Sequence, residues 1–125
     1  MKVQGIDRTM IDKVFAICDY YIQGNVRRHS RHIYDIYKLL PLVRLDDEFS
    51  GLVKEVRKVR AKNVSICHSA QPGVKVPEVL KEIVDKDIYR ADYESVTSRI
   101  LDEQIPYNVV IGAVNEIVAS GMFEE

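Results

Sequence analysis

The sequence has no tryptophan, two cysteines, four prolines and six glycines in 125 residues. So little proline and glycine excludes collagen-like and low-complexity chains, and hydrophobic residues at 46% argue against disorder. Cys18 and Cys67 form neither a disulfide framework nor a metal motif, which points to a reducing, cytoplasmic compartment. No apolar run approaches the roughly 18–20 residues that span a bilayer, so no membrane partner is expected. No apolar stretch follows Met1-Lys2-Val3-Gln4-Gly5, as a signal peptide would require. Also missing are the phosphate loop GxxxxGK[ST], the dinucleotide fingerprint GxGxxG and the zinc motif HExxH. The length suits one hydrophobic core and one domain, 1–125.

Net charge is nearly absent too, at −1, but the charges are unevenly placed. Residues 1–63 hold 13 Lys and Arg against 8 Asp and Glu, whereas 64–125 hold 5 against 11. A basic half attracts phosphates or nucleic acid even when the whole chain is neutral. Attraction between the two halves is an equally good reading of charge alone.

What is present is helical spacing. Met10, Ile11, Val14, Phe15, Cys18, Tyr21 and Ile22 fall on one stripe, with Asp7 as N-cap and Gly24 as stop. After a basic connector, Asn25 to His29, Ser30 is placed to cap a second helix carrying Ile33, Ile36, Tyr37 and Leu40, which Pro41 ends. A third helix starts near Asp46 or Asp47, with Phe49, Leu52, Val53, Val56 and Val59 or Arg60 making its stripe. Asn63 to Val76 reads as loop, with a turn at Gln71-Pro72-Gly73. Pro77 opens a fourth helix, a fifth runs from Arg90 to Leu101, and a sixth runs from Pro106 to Ser120 with Gly121 as stop. Short extended pieces are possible only at Met1 to Ile6 and at Val64-Ser65-Ile66-Cys67. The expected fold class is all-α, a bundle of five or six helices.

The chemistry concentrates between Arg8 and Leu40. Arg31, Asp35 and Lys38 share one helix face, and an exposed Arg31–Asp35 ion pair is the simplest reading of that spacing. Lys13 lies beside the apolar stripe, able to snorkel along the core edge or to project into the groove shared with the next helix. His29 and His32 lack a third ligand at a suitable spacing, so no metal site is expected. Cys67 and His68 are adjacent and point apart, which removes a nucleophile pair. Lys54 to Lys62 carries five cations and one anion; beside Arg27, Arg28 and Arg31 it is either a solvated face or the lining of a polynucleotide channel. Tyr20, Tyr34 and Tyr37 can serve as stacking surfaces or as core. Asp35 has no acidic partner nearby in sequence, so two-metal phosphoryl transfer is not encoded here. A non-enzymatic helical module that binds RNA or another protein is therefore an open alternative.

The stretches Arg8 to Tyr21 and Ser30 to Tyr37, with Val56-Arg57-Lys58-Val59-Arg60, Ser69-Ala70, Asp92-Tyr93 and Ile105-Pro106-Tyr107, resemble the AbiEii/AbiGii nucleotidyltransferase toxin family of bacterial type IV toxin–antitoxin and abortive-infection systems. The likeness is to that family's helical C-terminal half. It implies a bundle like the helical domain of DNA polymerase β-like nucleotidyltransferases, and a chain that is the C-terminal part of a longer enzyme. The family's third motif lysine falls on Lys13 and its fourth motif aspartate on Asp35, with Arg31 before it. By that resemblance Lys13 and Asp35 are the catalytic candidates, and Lys13, Arg31 and Arg8 hold nucleotide. The resemblance further implies that Arg27, Arg28, Arg57 and Lys58 bind RNA, and that the complete enzyme's acceptor is a tRNA-like RNA or a protein. Where the family often has an acid after the arginine, this chain has His32. The resemblance also implies NTP and Mg²⁺ for the complete enzyme, an antitoxin partner, and a nucleotidyltransferase domain bearing the Gly-Ser motif and metal carboxylates. With neither motif ahead of Arg8, the chain alone is expected to be inactive.

Overall fold

The computed structural model describes residues 4–63, 68–71, 73–101, 103 and 105–123. Among these there are six helices and no strand, so the all-α bundle is observed. Helix α1 (Gln4–Gln23) is the axis against which α2 (Arg31–Leu39), α3 (Asp47–Ala61) and α4 (Val76–Asp85) pack. Helix α1 starts before the expected cap: Gln4 to Ile6 are helical, and Asp7 lies in the first turn, where its carboxylate still suits the helix dipole. Gly24 takes a positive φ of 73°, which a side chain would resist, and so stops α1 as expected. Pro41 falls in a 3₁₀ turn, Leu40–Leu42, that closes α2. Asp46 caps α3 by accepting from the Phe49 amide at 3.0 Å.

The fifth helix, α5, is composite: α-helical at Arg90–Asp92, π-helical at Tyr93–Thr97 and α-helical again at Ser98–Ile100. Helix α6 (Tyr107–Ser120) ends at Gly121, whose φ of 72° confirms the expected stop. It packs on α2 and α4. Its apolar face is mostly core: Val110, Ala113, Val114 and Ile117 are buried, Val118 is half-buried and Val109 is exposed. Phe123 then folds back, its ring edge-on to Phe15 and Phe49 at 5.7 and 6.2 Å. Two of the buried tyrosines satisfy their hydroxyls on backbone carbonyls, Tyr89 donating to Ile17 and Tyr93 to Ile105, both at 2.6 Å, whereas the buried Tyr107 hydroxyl has no hydrogen-bond partner among the described residues. The piece Val64 to Cys67, and with it Cys67 of the discarded pair, lies outside the described residues, as does Pro72. Gly73, at φ 88°, supports the expected turn there.

Two polar junctions fix this packing. Asp19 points inward from α1, only 3% exposed. It accepts from the Ser69 amide at 2.7 Å and the Ser69 hydroxyl at 2.5 Å, and it pairs with Arg60 at 2.8 Å. A buried carboxylate is tolerable only with such a set of partners. Arg60 also reaches Asp12 at 3.3 Å and lies over the Phe15 ring, so the third helix is anchored to the first by charge as well as by apolar burial. At the second junction Asp92 accepts from the amides of Arg28 and Ser30 and from the Ser30 hydroxyl. Ser30 stands at the N-cap of α2 as expected, yet its hydroxyl makes no cap bond; Asp92 supplies the cap from α5. The π turn contributes here, because its i→i+5 bonding lets Asp92 and Thr97 both meet the Ser30 hydroxyl.

Candidate functional site

Lys13 projects from α1 into the groove shared with α2, where its Nζ lies 3.1 Å from Asp35 Oδ2. Both side chains are 26% exposed, so the pair is open to solvent and to a ligand. Two residues far apart in sequence are thereby joined across two helices. The expected Arg31–Asp35 pair is replaced by this one. Lys38, the third residue of that face, turns instead to Glu103 at 2.8 Å, where the Tyr34 hydroxyl also donates. The Lys38 hydrogen bond, followed by that of Tyr34, holds the Glu103 carboxyl below its ordinary range.

Arg31 is exposed one turn before Asp35 on the same face of α2. Arg8 is exposed on α1, five residues before Lys13 and so about 140° around the helix. The helix geometry thus gathers Lys13, Asp35 and Arg31, and leaves Arg8 aside.

His32 borders the pair. Burial, then the Lys13 cation, pushes its imidazole below the ordinary 6.5, with Asp35 pulling the other way, so the ring is neutral near pH 7. Its Nδ1 is buried without a hydrogen-bond partner. Beyond it, Tyr20 and His29 are stacked face to face, with centroids 3.6 Å apart and planes 3° from parallel. Tyr20 and His29 therefore meet as ring faces, while Tyr34 and Tyr37 are half-buried against the core.

The basic set divides. Arg27 and Arg28 are exposed on the connector, and Lys58 is exposed on α3 beside Lys54 and Lys62. Arg57 is turned inward: it donates to the Phe123 carbonyl at 2.9 Å and lies over the Phe15 ring. An arginine with an internal bond of this kind holds the C-terminal segment onto the core.

Among the described residues, no group of three or more His, Cys, Asp and Glu is placed to hold a metal ion. Asp35 is already committed to a lysine, so this donor set does not fit the Mg²⁺ that the resemblance implies. The Lys13 ammonium, by contrast, is a compact point charge suited to a phosphate. Cys18 is buried, and burial, followed by the neighbouring Asp19, raises its thiol far above the ordinary range, which leaves it inert. Sequence reasoning missed both polar junctions. The signals were an aspartate on an otherwise apolar stripe and the Ser69 and Asp92 segments, which carried no assigned role.

These features define a helical bundle with a cationic, part-open groove between its first two helices. The family described as Nucleotidyl transferase AbiEii toxin, Type IV TA system, matches residues 1–117. The chain belongs to that family of toxins. No curated protein and no solved structure matches it. No helix among the described residues is long and apolar enough to cross a membrane.

Proposed function

We propose that Lys13 and Asp35 are the helical-domain half of a nucleotide site, in a toxin that transfers a nucleotide from an NTP to an RNA, tRNA-like in shape, or a protein acceptor. The observation that carries this is the 3.1 Å Lys13–Asp35 contact, open to solvent, between the two residues on which the resemblance would put the family's lysine and aspartate motifs. In the resting chain Asp35 neutralises Lys13. A triphosphate would compete for the ammonium, and the released carboxylate would be free to position the nucleotide or accept a proton from the attacking hydroxyl. Arg31, one turn away, would add a planar, bidentate phosphate contact. No step is assigned to Mg²⁺ on these residues. The remaining half of the site, with its metal carboxylates, would come from a nucleotidyltransferase domain, and the chain alone is silent on this reading. The toxin would work in the cytoplasm, held in check by an antitoxin.

The test is growth arrest in cells producing the complete toxin. Lys13→Ala and Asp35→Ala should each abolish toxicity while the protein keeps its helical content and melting behaviour. Retained toxicity in both would sink the proposal. The exposed Arg27, Arg28, Arg31, Lys54, Lys58 and Lys62 favour a second reading, a non-enzymatic RNA-binding module. On that reading the two alanine variants remain toxic, and RNA affinity falls steeply with salt.

A further inference from the structure

We propose that the stacked Tyr20–His29 pair is a platform for a nucleobase, with Arg27, Arg28 and Arg31 receiving the phosphates attached to it. The inference rests on the nucleotide reading of Lys13 and Asp35, and it adds a base subsite beside them. The ligand chemistry is a flat base on a phosphorylated ribose, carried either by the incoming nucleotide or by the end of a single-stranded RNA acceptor.

The stack is two rings thick and nearly parallel. His32 does not cover it. Its ring is parallel within 10° to both members and equidistant from them, at 5.9 and 6.0 Å, so it stands beside the stack at mid-height. No other aromatic ring among the described residues packs on Tyr20 or His29. His29 is only partly buried, and it sits on the connector between the exposed Arg27 and Arg28 and the exposed Arg31.

The connector is preorganised. Arg28 holds a positive φ of 68°, uncommon for a residue with a side chain. It is kept there by its amide, which donates to Asp92 at 2.7 Å, while the His29 amide donates to the Val26 carbonyl at 3.1 Å. Such local strain gathers at ligand clamps, and here it aims the imidazole at the phenol ring. Asp92, an acid in electrostatic contact with His29, keeps its charge, but its oxygens are directed at the Ser30 hydroxyl and the Arg28 amide. Electrostatic contact of Lys13, Asp35 and Arg31 with His32 makes the strip from the ion pair to the stack continuous.

The experiment follows the ring resonances of Tyr20 and His29 by NMR in the 125-residue chain, titrated separately with three ligands. These are the four NTPs, a single-stranded RNA trinucleotide, and ribose 5-phosphate as a control without a base. The base-bearing ligands should move both rings upfield, and ribose 5-phosphate should not. His29→Ala should weaken base-bearing ligands about tenfold, within the range of base–aromatic stacking, without changing ribose 5-phosphate, and His29→Phe should restore them. Movement with NTPs assigns the platform to the incoming nucleotide, and movement with the trinucleotide alone assigns it to the acceptor. Still rings at millimolar ligand, or equal weakening of the control, would overturn the proposal. Shifts at Lys13 and Asp35 with still rings would remove the platform and leave the nucleotide reading intact. Ring shifts at unchanged affinity in Lys13→Ala would do the reverse.

Discussion

At the residue scale, the Lys13–Asp35 contact separates chemistry from stability. Both groups are partly solvated, so their attraction contributes at most about 1 kcal/mol. Asp35→Asn should therefore lower the unfolding free energy measured in urea by that much or less, yet remove toxicity entirely. A large loss of stability would mean the pair is structural. His32 gives a pH test. Its folded pKa is depressed below the ordinary 6.5 by burial and then by Lys13, so the fold prefers the neutral ring. That stability is complete above pH 6.5 and is lost as pH falls through the lower folded value, because the unfolded chain binds the proton first. The His32 resonance should titrate with a midpoint below 6.5, and a midpoint above it would show that Asp35 outweighs burial and Lys13 together. Little of this was legible beforehand. Spacing placed Lys13 beside the stripe correctly, but a lysine at a core edge looks the same whether it snorkels or bridges. Only the tertiary groove decides.

At the element scale, α2 is capped by a residue from α5. Burial works to raise the Asp92 carboxyl, but the Ser30 hydroxyl and the amides of Arg28 and Ser30 hold it below 3.8. Asp92→Ala should cost about 1–2 kcal/mol in chemical denaturation, the loss of an N-cap with its partners left unmet. A depressed carboxyl contributes fully above the unfolded value of 3.8 and is lost as pH falls further, so the variant should differ least from the parent in acid. Helix positions were largely legible, because the apolar stripes, Gly24, Pro41, Asp46 and Gly121 each act through local backbone rules. The cap was not, since Ser30 satisfies the local pattern while the bond comes from a residue 62 positions away. The early start of α1 was likewise hidden, because Asp7 serves a first turn as well as a cap.

At the scale of the whole molecule, the charge asymmetry becomes partly internal and partly a surface. Lys38 on the basic half meets Glu103 on the acidic half, which is the attraction between halves that composition allowed. Arg27, Arg28 and Lys58 stay exposed. Lys58→Ala should lower RNA affinity uniformly and reduce the slope of log K against log salt by about 1. Arg57→Ala should instead lower the melting point, because it leaves the Phe123 carbonyl without its donor, and should leave that slope unchanged. An equal effect of both variants on the slope would return Arg57 to the RNA surface. Charge counting treats these neighbours alike; what distinguishes them is that one faces the Phe15 ring and the other faces water.

The buried Asp19 junction also constrains the order of folding. Its partners Arg60 and Ser69 lie 41 and 50 residues further along the chain. Until both arrive, closing the core face of α1 would strand a carboxylate away from water. Local collapse of the first two helices is therefore disfavoured as a resting state, and docking of α3 with the turn after it becomes the committing event. The amides around Ile17 to Tyr20 are then expected to exchange with solvent only when the whole bundle opens, so that α1, though it precedes its partners in the chain, is among the last to be locked.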